Sequence, residues 1–172
     1  MTTISNEKVV SVLNDLIETC KDGAKGFATA ADDAKAPDLK ALFTKYSAQR
    51  TSFAADLDGF VTSYRGTAAE MGHVAAVVHR GWINLKAAVS GNNDKAILNE
   101  CERGEDYAKK AYADALKEEL PPEIRTVIQR QAEQVMSAHN AVRDLRNQAN
   151  AADEASKSYP NTIDSKQPAY RD

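Results

Sequence analysis

Along most of the chain, apolar residues recur at intervals of three and four, the spacing that lines one face of an α-helix. Between Ser5 and Asp33 the stripe is Val9, Leu13, Leu16, Ile17, Cys20, Ala24, Phe27 and Ala31. Ser5 is placed to cap this helix, with Lys8 where a capping box would carry Glu. Gly23 and Gly26 weaken it locally but admit a close neighbour. Pro37 suits the first turn of a second helix, whose stripe is Leu39, Leu42, Phe43, Tyr46, Phe53, Leu57, Phe60, Val61 and Tyr64. The short link between the two predicts antiparallel neighbours. A third helix is expected from Asp94, as N-cap, to Glu119, with Ile97, Leu98, Cys101, Ala108, Ala111, Tyr112, Ala115 and Leu116 inward. Pro121 and Pro122 separate it from a fourth, expected to end at Asn147, with Ile124, Val127, Ile128, Val135, Ala138, Val142 and Leu145 inward.

Residues 66–91 form the long connection between the second and third helices. They carry Val74, Ala75, Val77, Val78, Trp82, Ile83, Leu85 and Val89 ahead of an SGNND stop. A helix of about 20 residues rises about 30 Å, enough to return the chain to the other end of a bundle. One such connection between helices 2 and 3 is the ferritin-like pattern, which up-down-up-down bundles lack. After Gln148 the chain turns polar and holds too few apolar residues to offset ordering, so residues 149–172 are expected to form a disordered tail.

Composition narrows the function. A chain of 172 residues suits one domain, and five prolines and eight glycines leave long stretches free for helix. The net charge of −3, with both signs interspersed, excludes a general nucleic-acid face, which needs concentrated positive charge. No stretch approaches the roughly 18 apolar residues of a membrane span. MTTISNEKVV lacks the basic start and apolar run of a secretory signal, so a cytoplasmic location is expected. Cys20 and Cys101 lack CxxC spacing and read as buried reduced thiols, with a redox pair or metal ligands as alternatives.

Candidate chemistry lies where polar residues interrupt the stripes. Gln49 and Arg50 sit between Tyr46 and Phe53, Glu105 between Cys101 and Ala108, Gln131 and Gln134 between Ile128 and Val135, and His139 between Val135 and Val142. All fall near mid-helix, at matching heights in a bundle. Di-iron bundles keep their metals at this level, using a Glu from each of two helices and Glu-x-x-His from each of the other two. Here helix 2 offers Gln49-Arg-Thr-Ser52 and helix 4 Gln131-Ala-Glu-Gln134; His139 lies six residues after Glu133. Glu18 falls among Asn14, Lys21 and Lys25 on a polar flank, and Arg50 puts a fixed positive charge where a cation would sit. The expected reading is a structural polar layer of Gln49, Arg50, Glu105 and Gln131, with Arg50 paired to Glu105 and Gln131 helping to satisfy them. The alternatives are a degenerate metal site of Glu102, Glu105 and His139, or simple exposure. His73 and His79, six apart, read as surface residues. Trp82 reads as a packing anchor of the connection or as part of a partner surface. ECERGED reads as a solvated flank around Glu105. No Ser/His/Asp order, P-loop or dinucleotide fingerprint occurs.

The segments LNDLIETCKDGAKGF, SAQRTSFAADLDGF, HRGWINLKAAVSG and NECERGEDYAKKAYADALKEELPPEIR resemble a family of uncharacterised bacterial proteins in the ferritin-like superfamily. The likeness spans about Lys8 to Arg146, and HRGWINLK and ECERGED carry most of its specificity. It implies an all-α, ferritin-like four-helix bundle over residues 1–148, with a helical crossover between helices 2 and 3. It also implies a cytosolic bacterial setting and a domain without established activity; some relatives are associated with stress or stationary phase. The chain is therefore expected to be a non-enzymatic, stress-associated bundle without cofactor. It could self-associate as a homo-oligomer, with no nucleic acid bound, no membrane insertion and an unknown protein partner. The alternative is a divergent metal-binding or redox bundle using Glu102, Glu105, His139 and the cysteines.

Overall fold

Ser5 starts the first helix: its backbone is extended and its hydroxyl accepts the Lys8 N–H at 3.2 Å. Helix α1 (Asn6–Asp33) follows, within a computed structural model that describes residues 4–64, Trp82 and residues 93–158. Ala36, held extended by the proline after it, leads into α2 (Pro37–Ser63), which has no side-chain cap of its own. The amides of this junction are instead taken by Asp94, whose Oδ1 accepts from Lys35 N at 2.7 Å and Oδ2 from Ala36 N at 3.1 Å. Asp94 was expected to cap the third helix. It is instead the first residue of α3 (Asp94–Ala115), and Asn93 is the cap, accepting from Lys95 N at 2.9 Å. Both residue types cap well, and the carboxylate is occupied across the bundle.

Helix α3 stops at Ala115, short of the expected Glu119. The Arg125 guanidinium holds the turn that follows by donating to the carbonyls of Leu116, at 3.0 Å, and Glu118. Helix α4 (Pro122–Ser158) runs well past the expected Asn147. The polar stretch from Ala149 to Ser158 lacks Gly and Pro and is rich in Ala. Extending an existing helix needs no new nucleus. Ala149 also packs on the core, and Lys95 Nζ meets Asp153 Oδ2 at 2.8 Å. The helix thus continues through the first part of the expected tail, to Ser158; residues 159–172 lie outside the described residues.

Contacts between helices fix their directions. At one end Lys8 meets Glu118 at 3.0 Å and the Tyr64 hydroxyl meets Glu123 at 3.2 Å. At the other, Asp94 holds the α1–α2 junction and Lys95 holds Asp153. Relative to α1 the order is up, down, down, up. Helices α2 and α3 are parallel, so α2 ends at the opposite end from where α3 begins, the pattern of bundles with one long connection. The helical crossover expected within 66–91 lies outside the described residues, apart from Trp82. The described residues form an all-α four-helix bundle, and none of their helices is long and apolar enough to cross a membrane.

Two apolar clusters fill the interior. One holds Leu13, Leu16, Leu57, Ile124 and Ile128 near the start of α1; the other holds Phe27, Phe43, Ile97, Leu98 and Val142 towards its end. Each such side chain contributes about 1.5–3 kcal/mol on burial, and the polar residues lie at the level between them. Asp94→Ala should lower unfolding stability by about 2 kcal/mol in urea titration, because two charge-assisted bonds to backbone amides are lost. Asp94→Asn should recover part of this. A midpoint unchanged in Asp94→Ala would show that the junction holds without it.

Candidate functional site

Arg50 is 1% exposed, and its guanidinium lies over two rings, 5.9 Å from the centroid of Phe27 and 5.4 Å from that of Phe53. Such cation–π contacts suit a weakly hydrated planar cation. The stem crosses α1 at Gly23, where a Cβ would stand 3.3 Å from Arg50 Cγ. Arg50 Nη2 contacts Glu105 Oε2 at 2.6 Å, and Glu105 is also 1% exposed. Arg50 Nη1 donates to Gln49 Oε1 at 2.6 Å, and Gln49 Nε2 donates to Gln134 Oε1 at 3.0 Å. Among the described residues Arg50 Nε has no hydrogen-bond partner. Burial raises the pKa of Glu105 above the ordinary carboxylate value despite the opposing pull of Arg50. Desolvation outweighs attraction here, as is common for buried pairs.

Gln131 is fully buried but does not serve this pair. Its Oε1 accepts the Tyr112 hydroxyl at 2.8 Å, and its Nε2 donates to the Phe53 carbonyl at 3.3 Å. The Cys20 Sγ lies 3.1 Å from the same tyrosine oxygen. A phenol has one proton, and Tyr112 spends it on Gln131, so the Cys20 thiol is the donor. Burial pushes Cys20 up to about 11 and raises Tyr112 well above its ordinary value. Cys101 is raised too, by burial first and then by the Glu105 and Glu100 charges. Both cysteines are free and buried, the bland state expected of them.

A family model for a domain of unknown function, DUF2383, matches residues 8–118. The chain belongs to that family. The matched span carries Cys20, Gln49, Arg50, Glu105 and Tyr112, while Gln131, Gln134 and His139 on α4 lie beyond it. No curated protein matches the chain.

In this DUF2383 protein the residues of the metal alternative are not brought together. Glu102 is paired with Arg146, whose Nη2 donates to Oε1 at 3.0 Å and whose Nε stands 3.0 Å from Oε2. Glu105 faces inward to Arg50. The His139 ring is buried but turns to the α3 flank, with Nε2 2.9 Å from Asp106 Oδ1 and 3.3 Å from Lys109 Nζ. Among the described residues no group of three or more His, Cys, Asp or Glu side chains is placed to hold an ion. The donor set does not fit a di-metal centre. His73 and His79 lie outside the described residues.

Two features escaped the sequence reading. Tyr112 was counted as an apolar stripe residue, although a buried phenol needs a partner and Gln131 was available. Glu18, expected on a polar flank, is 4% exposed, its Oε1 has no partner among the described residues, and burial raises its pKa against the pull of Lys21. A helical wheel gives a side chain's direction, not its cover.

Arg50→Met or Glu105→Leu alone should each cost about 3–5 kcal/mol, because each strands a buried charge, and the double variant should cost far less. Additivity within about 0.5 kcal/mol in a double-mutant cycle would show that the two do not interact. Neither thiol should react with an aromatic disulfide reagent at about pH 8 in the native protein, and both should react in denaturant. Rapid modification of one thiol in the folded state would contradict the burial described here.

Proposed function

We propose that this DUF2383 protein is a non-enzymatic, ferritin-like helical bundle whose centre is held by an ion pair in place of a metal. The observation that carries this reading is the Arg50 guanidinium at mid-bundle, lying over the Phe27 and Phe53 rings and bonded to Glu105. A guanidinium keeps its charge at any relevant pH and repels a second cation at that depth. The carboxylate best placed to bind a metal is already neutralised. The up-down-down-up order and the mid-height polar layer support ferritin-like kinship.

With its interior committed to structure, the protein acts through its surface, in the bacterial cytoplasm and in stress or stationary-phase physiology. The resemblance to stress-associated relatives supports that setting. The exposed face is polar: among the described residues the exposed large apolar side chain is Met136, at 45%. Any self-association or protein contact would therefore use polar complementarity.

Elemental analysis of protein purified without a histidine tag tests the central claim, and Fe or Mn should be well below stoichiometric. About two metals per chain, the count of a di-iron bundle, would overturn it in favour of a divergent metal-binding or redox bundle. Deletion of the gene should impair survival in stationary phase, and unchanged survival would remove the stress assignment.

A further inference from the structure

Trp82 belongs to none of the four helices, yet it packs against the apolar cluster around Phe27, next to the polar layer. Its ring meets Phe27 edge-on, with centroids 5.3 Å apart, and the Arg50 guanidinium lies over the same Phe27 ring, 5.9 Å from its centroid. A Cβ built on Gly26 of α1 would fall 2.3 Å from Trp82 Cδ2, and one on Gly104 of α3 would fall 2.4 Å from Cε2 and Cζ2. Contacts that short are impossible for a rigid ring. The indole therefore occupies a slot that exists because two facing helices both carry glycine at that height. Gly104 directly precedes Glu105, and Cys101 lies one turn before Glu105 on the same helix.

We propose that Trp82, seated between Gly26 and Gly104, is the side chain that keeps the Arg50–Glu105 layer dry. Seated against Phe27 and beside Gly104, the residue before Glu105, Trp82 acts by excluding water from the surroundings of the pair. This rests on the buried pair and not on the metal reading, because a metal found in the protein would leave the slot unchanged.

Trp82 is the chain's single tryptophan, so its fluorescence reports the slot without interference. Gly104→Ala tests the slot directly, since Ala favours helix more than Gly does and the added methyl evicts the ring. The expected results are a red-shifted emission maximum, unchanged helical circular dichroism, and native-state Cys101 modification faster by roughly tenfold or more. The coupling between Arg50→Met and Glu105→Leu should also shrink in this background, because a hydrated pair interacts more weakly. Trp82→Ala should speed Cys101 modification likewise; if it fails to fold, Gly104→Ala and Gly26→Ala carry the test. An unshifted emission in Gly104→Ala would overturn the slot. A shifted emission with unchanged thiol rates and coupling would overturn the water-excluding role.

Discussion

The bundle depends on one buried contact, the 2.6 Å approach of Arg50 to Glu105. Two charges out of water are costly unless each has the other, so the helices carrying them are fixed relative to one another in height and rotation. Gly23 gives way for the arginine stem, the guanidinium lies over the Phe27 and Phe53 rings, and Gln49 and Gln134 extend the bonding to α4. Apolar side chains above and below could tolerate a shift of register; this layer could not. Such a device fixes one arrangement more than it adds stability.

The same economy of position appears at the end of the bundle where α3 begins. Asp94 is the first residue of its helix and holds the junction between α1 and α2. A negative side chain suits the first turn of a helix, and here it also accepts from the Lys35 and Ala36 amides in the link ahead of the proline-initiated helix. One carboxylate therefore ties three helices, and this tie makes α3 run parallel to α2.

The helices and the central pair were legible because both follow from period. Arg50 and Glu105 interrupt apolar stripes, and a stripe position points inward whatever its chemistry. Bonding partners were less legible. Gln131 shares the stripe of Ile128 and Val135, but period alone could not say whether it faces Arg50 or Tyr112. The end of α4 was missed because scarcity of apolar residues was read as disorder, whereas an Ala-rich stretch continues a helix already anchored by packing. The slot for Trp82 was half visible: Gly26 announced a close approach, but nothing in the pattern linked it to Gly104.

The polar layer also bears on how the chain must assemble. Its bonds join residues 55, 85 and 92 positions apart, in Arg50–Glu105, Gln49–Gln134 and Cys20–Tyr112. Each bond crosses between helices, and together they involve all four. A collapsed form lacking α2, α3 or α4 would bury a charge or an amide without its partner, so the layer penalises partly formed bundles more than an apolar core of equal size would. Contacts of this kind form late, after the loops between them have closed. Interactions absent from the folding transition state slow unfolding and leave the folding rate nearly unchanged. The central pair thus acts as a latch on the finished bundle, guarding its lifetime in the folded state.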